Sequence, residues 1–301
     1  MLEAQGAILR YESGSSFGDI PAAYQSTGVP GLTFSGDRRR LWALTRAIPA
    51  LFGLDLDGSV LTQRPLSLRM AHALGTTHSD NVLVVDVDRH TVEEFLPAGT
   101  RVRLMGAPDQ PANTGYVPGK PRSVLRSGGP FNRPAGAAGS PGGALFVADG
   151  YGNARVHCFE DGVLIRSWGE PGEGPGEFRL PHGVTTDEQG LVYIADRENG
   201  RIQVFAQNGE YFREFTGLER PCDLYVSPLG MIYVAELDPE GGRVTVLGPE
   251  GNIAARFRAC VDQPQAGAHA IEVDEIGDIY VGLVPRIQKA LTYGIVKFRR
   301  R

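Results

Sequence analysis

Three histidines give the first chemical signal in this chain. His72, His182 and His269 each stand fourteen residues ahead of the end of a β-rich run, at Asp86, Asp196 and Leu283. Counting back the same distance from Thr45, Asp149 and Glu236 reaches Gly31, Ala135 and Cys222. Histidine therefore alternates with small residues at one fixed register. If these positions surround an axis, three imidazoles meet there. That set suits Zn²⁺ or another divalent transition metal and leaves coordination sites open for water or substrate. A single histidine in such a place usually satisfies a local backbone group; three in register on alternate repeats are hard to assign to accident. Cys222 shares the register as a possible fourth ligand or, more simply, a buried thiol beside the site. His78, His90 and His157 fall outside the register and are expected on the surface or in loops.

Three more residues lie close behind the same run ends. Arg46 follows LWALT, Tyr151 lies in ADGYGN, and Arg197 lies in ADRENGR. Two guanidiniums beside a cation call for an anion, and a carboxylate substrate would supply it through bidentate contacts. A phenol set among these charges is favoured as phenolate and can serve as a base. Taken singly, each has a plainer reading: such an Arg pairs with an Asp, and such a Tyr packs.

The elements that position these residues repeat along the chain. LPHGVTTDEQGLVYIAD (180–196) is the clearest copy, and related segments occupy 29–45, 69–86, 133–149, 220–236 and 267–283. Their ends are 41, 63, 47, 40 and 47 residues apart. A third apolar run follows each copy, and often a fourth. Periods near ~40–50 residues with about four short strands define propeller blades. We expect an all-β, six-bladed β-propeller spanning 1–301 as a single domain. The wide interval before Asp149 holds an inserted loop at about 107–130, at one mouth of the channel. The last repeat ends on its third strand, so GAILRYE (6–12) is expected to close the ring.

Composition narrows the function classes. The net charge of −5 offers no basic surface for nucleic acid. No apolar run approaches the ~20 residues of a membrane span, and MLEAQGAILRYESGS shows no basic n-region followed by a long apolar h-region. Three cysteines without ligand spacing argue for a reducing cytoplasm rather than a disulfide framework.

The stretches ADGYGNAR, GEFRLPHG and ADRENGRIQVF, taken together and in order, resemble the peptidyl-α-hydroxyglycine α-amidating lyases, six-bladed NHL-repeat propellers. The resemblance runs from about Val29 to Lys297 and is strongest over 145–205. It implies that His72, His182 and His269 bind zinc, that Tyr151 is the catalytic tyrosine, and that Arg46 and Arg197 are the active-site arginines. It also implies cleavage of a carbinolamide C–N bond, releasing an amide and an oxo acid such as glyoxylate. The positions matching the family's disulfides, Gly152, Tyr193 and Val204, are not cysteine. Gly267 replaces a methionine, and Ala270 replaces the acidic residue that supports a structural calcium, which argues against calcium here. The expected activity is a metal-dependent lyase acting on a small-molecule or peptide-like carboxylate. Two alternatives stand beside it: a metal-dependent lactonase or esterase on the same pocket, and a non-catalytic NHL interaction module.

Overall fold

The computed structural model describes residues 9–260, 265–286 and 293–301. Six four-stranded antiparallel sheets follow one another, each ordered by sequence from the innermost strand outward, with one exception at the ring closure. Blade 1 is Gly31–Phe34, Leu41–Thr45, Ala50–Leu54 and Val60–Pro65. Blade 2 begins at Ala71–Thr76, blade 3 at Gly136–Gly139, blade 4 at Pro181–Thr186, blade 5 at Pro221–Val226 and blade 6 at Ala266–Val273. The chain is a six-bladed β-propeller, as the repeat spacing predicts.

Middle strands such as Val82–Asp86 and Leu145–Asp149 are buried along their whole length. Continuous apolar runs fit this place, because each blade is covered on both faces by its neighbours. The core is accordingly divided among the seams between blades. Leu83 and Val85 of blade 2 pack with Ala137, Val147 and Phe159 of blade 3. Leu32 and Phe52 of blade 1 pack with Tyr280 and Ile295 of blade 6. Outer strands such as Val60–Pro65 are largely exposed.

Around the axis the inner strands approach backbone to backbone. A Cβ on Gly75 would stand 2.0 Å from the Ala137 carbonyl oxygen, and one on Gly136 would stand 2.5 Å from that of His182. Only glycine permits this distance, and so these positions set the width of the channel.

The ring closes through an N-terminal strand, but not the expected one. Ser15–Phe17 forms the outer strand of blade 6, pairing Ser15 with Lys297 and Phe17 with Ile295. Phe17 lies edge-on to Tyr280 at 4.9 Å, which anchors the pairing more firmly than a polar segment could. Among its described residues, the expected GAILRYE segment pairs with the sheet through one bridge, from Tyr11 to Arg300. Its residues 6–8 lie outside the described residues.

Candidate metal centre

A local irregularity aims each histidine at the axis. In blade 2, Ala71 pairs with Asp86 and Ala73 with Val85, leaving His72 as an extra residue. In blade 6, Ala268 pairs with Leu283 and Ala270 with Gly282, leaving His269 extra. In blade 4 the register shifts between Pro181 and Val184, around His182. A β-bulge turns its extra side chain off the regular alternation. Here the turn brings three imidazoles together, with ring centroids 4.7, 4.8 and 5.0 Å apart.

The histidine-free blades complete the arrangement. Nδ1 of His72 donates to the Ala135 carbonyl at 2.7 Å, that of His182 to Cys222 at 2.6 Å, and that of His269 to Pro30 at 2.8 Å. Each acceptor belongs to the next blade round the ring. These bonds assign the proton to Nδ1 and leave a lone pair on Nε2. Burial, then mutual repulsion with the other imidazoles and Arg46, holds the pKa of His72 well below its usual value. His182 is lowered likewise, and burial takes His269 to about 3. The rings stay neutral, as metal ligands must.

Their ligand atoms lie within 4.8 Å of one another. The Tyr151 hydroxyl contacts Nε2 of His72 at 2.9 Å and Nε2 of His182 at 3.0 Å. One phenol proton can satisfy only one of those lone pairs. A divalent cation satisfies all three imidazoles, so the donor set fits zinc or a similar ion. Among the described residues, these histidines form the one three-ligand group found. The Cys222 thiol points elsewhere, to the Arg220 carbonyl at 3.6 Å; the backbone oxygen is what this residue gives the centre.

Both arginines reach the same place. Arg197 opens the 3-10 turn Arg197–Asn199, beyond a corner built on Asp196. That carboxylate accepts from the Arg179 backbone, Asn199 and Arg201, each at 2.8 Å. Nη1 of Arg197 lies 3.3 Å from the Tyr151 hydroxyl, and Nε lies 3.3 Å from Glu198. Desolvation opposes its charge, but Tyr151, Cys222 and Glu198 outweigh this and raise its pKa. Arg46 donates through Nε to the Ala71 carbonyl at 3.0 Å. Burial lowers its pKa, with the Tyr151 phenol pulling the other way. All three imidazoles feel its charge.

His157 corrects an expectation. It is fully buried in Arg155–Glu160, between Ser167 Oγ at 2.8 Å and Asp149 at 3.3 Å. Its place matches Gln203 in blade 4, which also bonds the blade's acidic corner. Position within the blade, not the axis register, buries it. His78 is exposed, and His90 is half-buried in a turn, accepting from the Arg133 amide at 3.0 Å. The three carbonyl acceptors carry no signature in the sequence, because any residue type can supply one.

A model of the NHL repeat matches residues 131–159 and 178–205, the two stretches that carry Tyr151 and His182. NHL repeat-containing protein 3 of Mus musculus is 29% identical over 266 residues, 82% of this chain and 74% of that protein. Peptidyl-alpha-hydroxyglycine alpha-amidating lyase 1 of Drosophila melanogaster is 35% identical over 157 residues, 48% of this chain but only 27% of its own length. Virginiamycin B lyase from Staphylococcus aureus superposes with a TM-score of 0.62 at 15% identity, covering 96% of this chain and 99% of that one; at this identity the likeness is one of fold. The chain is an NHL-repeat β-propeller. Within that class it is related both to the amidating lyases and to NHL repeat-containing protein 3.

Proposed function

We propose that this protein is a metal-dependent lyase cleaving the C–N bond of an N-(α-hydroxyalkyl) amide that carries a carboxylate. The observation that carries the reading is a single cluster. Three neutral imidazoles converge, a phenol contacts two of them, one guanidinium stands beside the phenol, and the charge of a second acts on all three imidazoles. His72, His182 and His269 would hold the ion; when bound, it supplies a Lewis acid that makes a substrate hydroxyl more acidic. Arg46 and Arg197 bind and orient the carboxylate. Tyr151 takes the proton from the hydroxyl and passes it to the departing nitrogen. The C–N bond breaks, its electron pair leaves with nitrogen, and the carbinol carbon becomes a carbonyl. An amide and an oxo acid result, glyoxylate when the substrate is an α-hydroxyglycine derivative. The similarity to an amidating lyase agrees with this chemistry. The similarity to a protein named only for its repeats leaves an interaction module as the competing reading.

Purified protein is expected to carry about one tightly held divalent metal ion and to release glyoxylate from α-hydroxyhippurate. His182→Ala should lose both properties. Metal-free protein with full activity, or metal-loaded protein that releases no glyoxylate, would remove the reading.

A further inference from the structure

The turn that carries Tyr151 is held partly from outside its own blade. Thr114 Oγ1 donates to the Gly152 carbonyl at 2.5 Å, and the Gly152 amide donates to the Asn132 carbonyl at 3.0 Å. The Tyr151 amide donates to the Arg133 carbonyl at 3.2 Å. Asn132 Nδ2 donates to Thr114 Oγ1 at 3.1 Å and to the Ala112 carbonyl at 2.9 Å. The Asn132 amide also reaches the Asp149 carboxylate, at 2.9 and 3.1 Å. Past the tyrosine, Asn153 Nδ2 donates to the Gly128 carbonyl at 2.8 Å, and the Gly128 amide returns a bond to Asn153 Oδ1 at 3.2 Å. The Ser127 hydroxyl lies 3.3 Å from the Ala154 carbonyl.

Ala112, Thr114, Ser127 and Gly128 come from the segment inserted between blades 2 and 3, whereas Asn132 and Arg133 lead the chain into blade 3 itself. Surface loops ordinarily leave such groups to water. Here Thr114 is 1% exposed and Asn132 6% exposed, so the bonds are made in the interior. The fit is also steric. A Cβ on Gly152 would stand 2.2 Å from Asn132 Oδ1, and so the glycine lets the two segments close on each other. Without the insert, the Gly152 carbonyl would lose its Thr114 partner and the Asn153 side chain its bonds to Gly128.

We infer that the inserted segment is a working part of the site: Thr114, from the insert, and Asn132, where the chain enters blade 3, are positioning residues that fix the Tyr151 turn above the imidazoles. The inference rests on the catalytic role proposed for Tyr151. Neither residue touches the reacting atoms. Their effect passes through the backbone of 151–152, which sets how the phenol meets His72 and His182. A misplacement of about 1 Å in such a group lowers turnover by up to about a hundredfold.

The test compares the metal-loaded wild-type chain with Thr114→Val, which keeps the shape and removes the hydroxyl, and with Thr114→Ser, which restores it. With α-hydroxyhippurate, Thr114→Val is expected to lower kcat about tenfold, with KM changed by less than about twofold and metal content unchanged. Amide hydrogen exchange over 149–154 should be faster, and Thr114→Ser should return both readouts toward wild type. Should Thr114→Val fail to fold, Ser127→Ala at the far end of the turn takes its place, with a smaller shift in the same direction. Wild-type kcat and exchange in the folded variant would overturn the inference. If the wild-type protein releases no glyoxylate, the proposed reaction fails, and the exchange rates alone still decide whether Thr114 holds the turn.

Discussion

The imidazole of His182 donates its Nδ1 proton to the carbonyl oxygen of Cys222, one blade further round, at 2.6 Å. The same bond joins His72 to Ala135 and His269 to Pro30. A blade without a histidine therefore fixes the tautomer of the blade before it. The alternation of imidazole and acceptor gives the threefold pattern a physical reason. It also separates the two things Cys222 could do. Cys222→Ala keeps the carbonyl and should retain the full metal content of wild type, whereas His182→Ala should lose it. Loss of metal from Cys222→Ala, measured by elemental analysis, would make the thiol a ligand after all.

Tyr151 meets two imidazole nitrogens and one guanidinium through a single oxygen. Removing that oxygen leaves the three imidazoles and their acceptors intact. Tyr151→Phe should keep bound metal while kcat falls by about a hundredfold to ten-thousandfold, the usual worth of a positioned acid–base group. A kcat close to wild type would assign proton transfer to another group.

Arg46 is the less compensated of the two arginines, since Glu198 stands beside Arg197 while burial lowers the pKa of Arg46. A substrate carboxylate would relieve that desolvation. Arg46→Gln should raise KM for α-hydroxyhippurate about tenfold to a hundredfold, as loss of a buried charged partner does, with a smaller loss in kcat. Equal falls in kcat and kcat/KM would instead place the interaction in the transition state alone.

Much of this site was legible because the repeat makes position informative. The spacing from a run's end to its inner strand fixes His72, His182 and His269 on one ring, and the bulges that aim them fall at that same register. ADGYGN and ADRENGR were legible for a related reason: Gly150, Gly152 and Asn153 serve one turn, and Asp196, Asn199 and Arg201 serve one corner. Contacts made through the backbone were not legible, because side-chain identity does not encode them; the carbonyls of Pro30, Ala135 and Cys222 are of this kind. The closing strand is hard to read from the sequence because GAILRYE has the more strand-like pattern, while Ser15–Phe17 has one aromatic in the right place.

Below the histidines the channel changes character. A cavity of about 180 Å³ is lined by Thr33, Thr76, Thr186, Asp223 and Glu272. Burial raises Asp223 to about 8, with Glu272 adding to it, and burial raises Glu272 to about 7 against the pull of Arg38. The folded chain thus holds protons that the unfolded chain releases near pH 4, its ordinary carboxylate range. Stability supplied by these groups is complete below that range and is lost as pH rises toward 8. The melting temperature of Asp223→Asn should fall less between pH 5 and pH 8.5 than that of wild type, by on the order of 5 °C. Parallel curves for the two proteins would show that Asp223 titrates normally.

Ring closure provides the last test, because the final blade is completed by residues far away in sequence. Ser15, Ser16 and Phe17 pair with Lys297, Val296 and Ile295, and the backbone amide of Glu12 donates to Arg299 at 2.9 Å. Phe17 adds its edge-on contact with Tyr280 and lies 5.7 Å from the Lys297 ammonium. Removing residues 1–17 would expose the edge of Ile295–Phe298, and an unpaired edge templates association with other chains. The truncated protein should melt at a lower temperature and form aggregates in proportion to its concentration. Phe17→Ala keeps the backbone pairing and loses only the half-buried ring, so it should lower stability by about 1–3 kcal/mol without aggregation. A truncated chain that melts with wild type and stays monomeric by light scattering would mean that the outer strand contributes nothing to closing the ring.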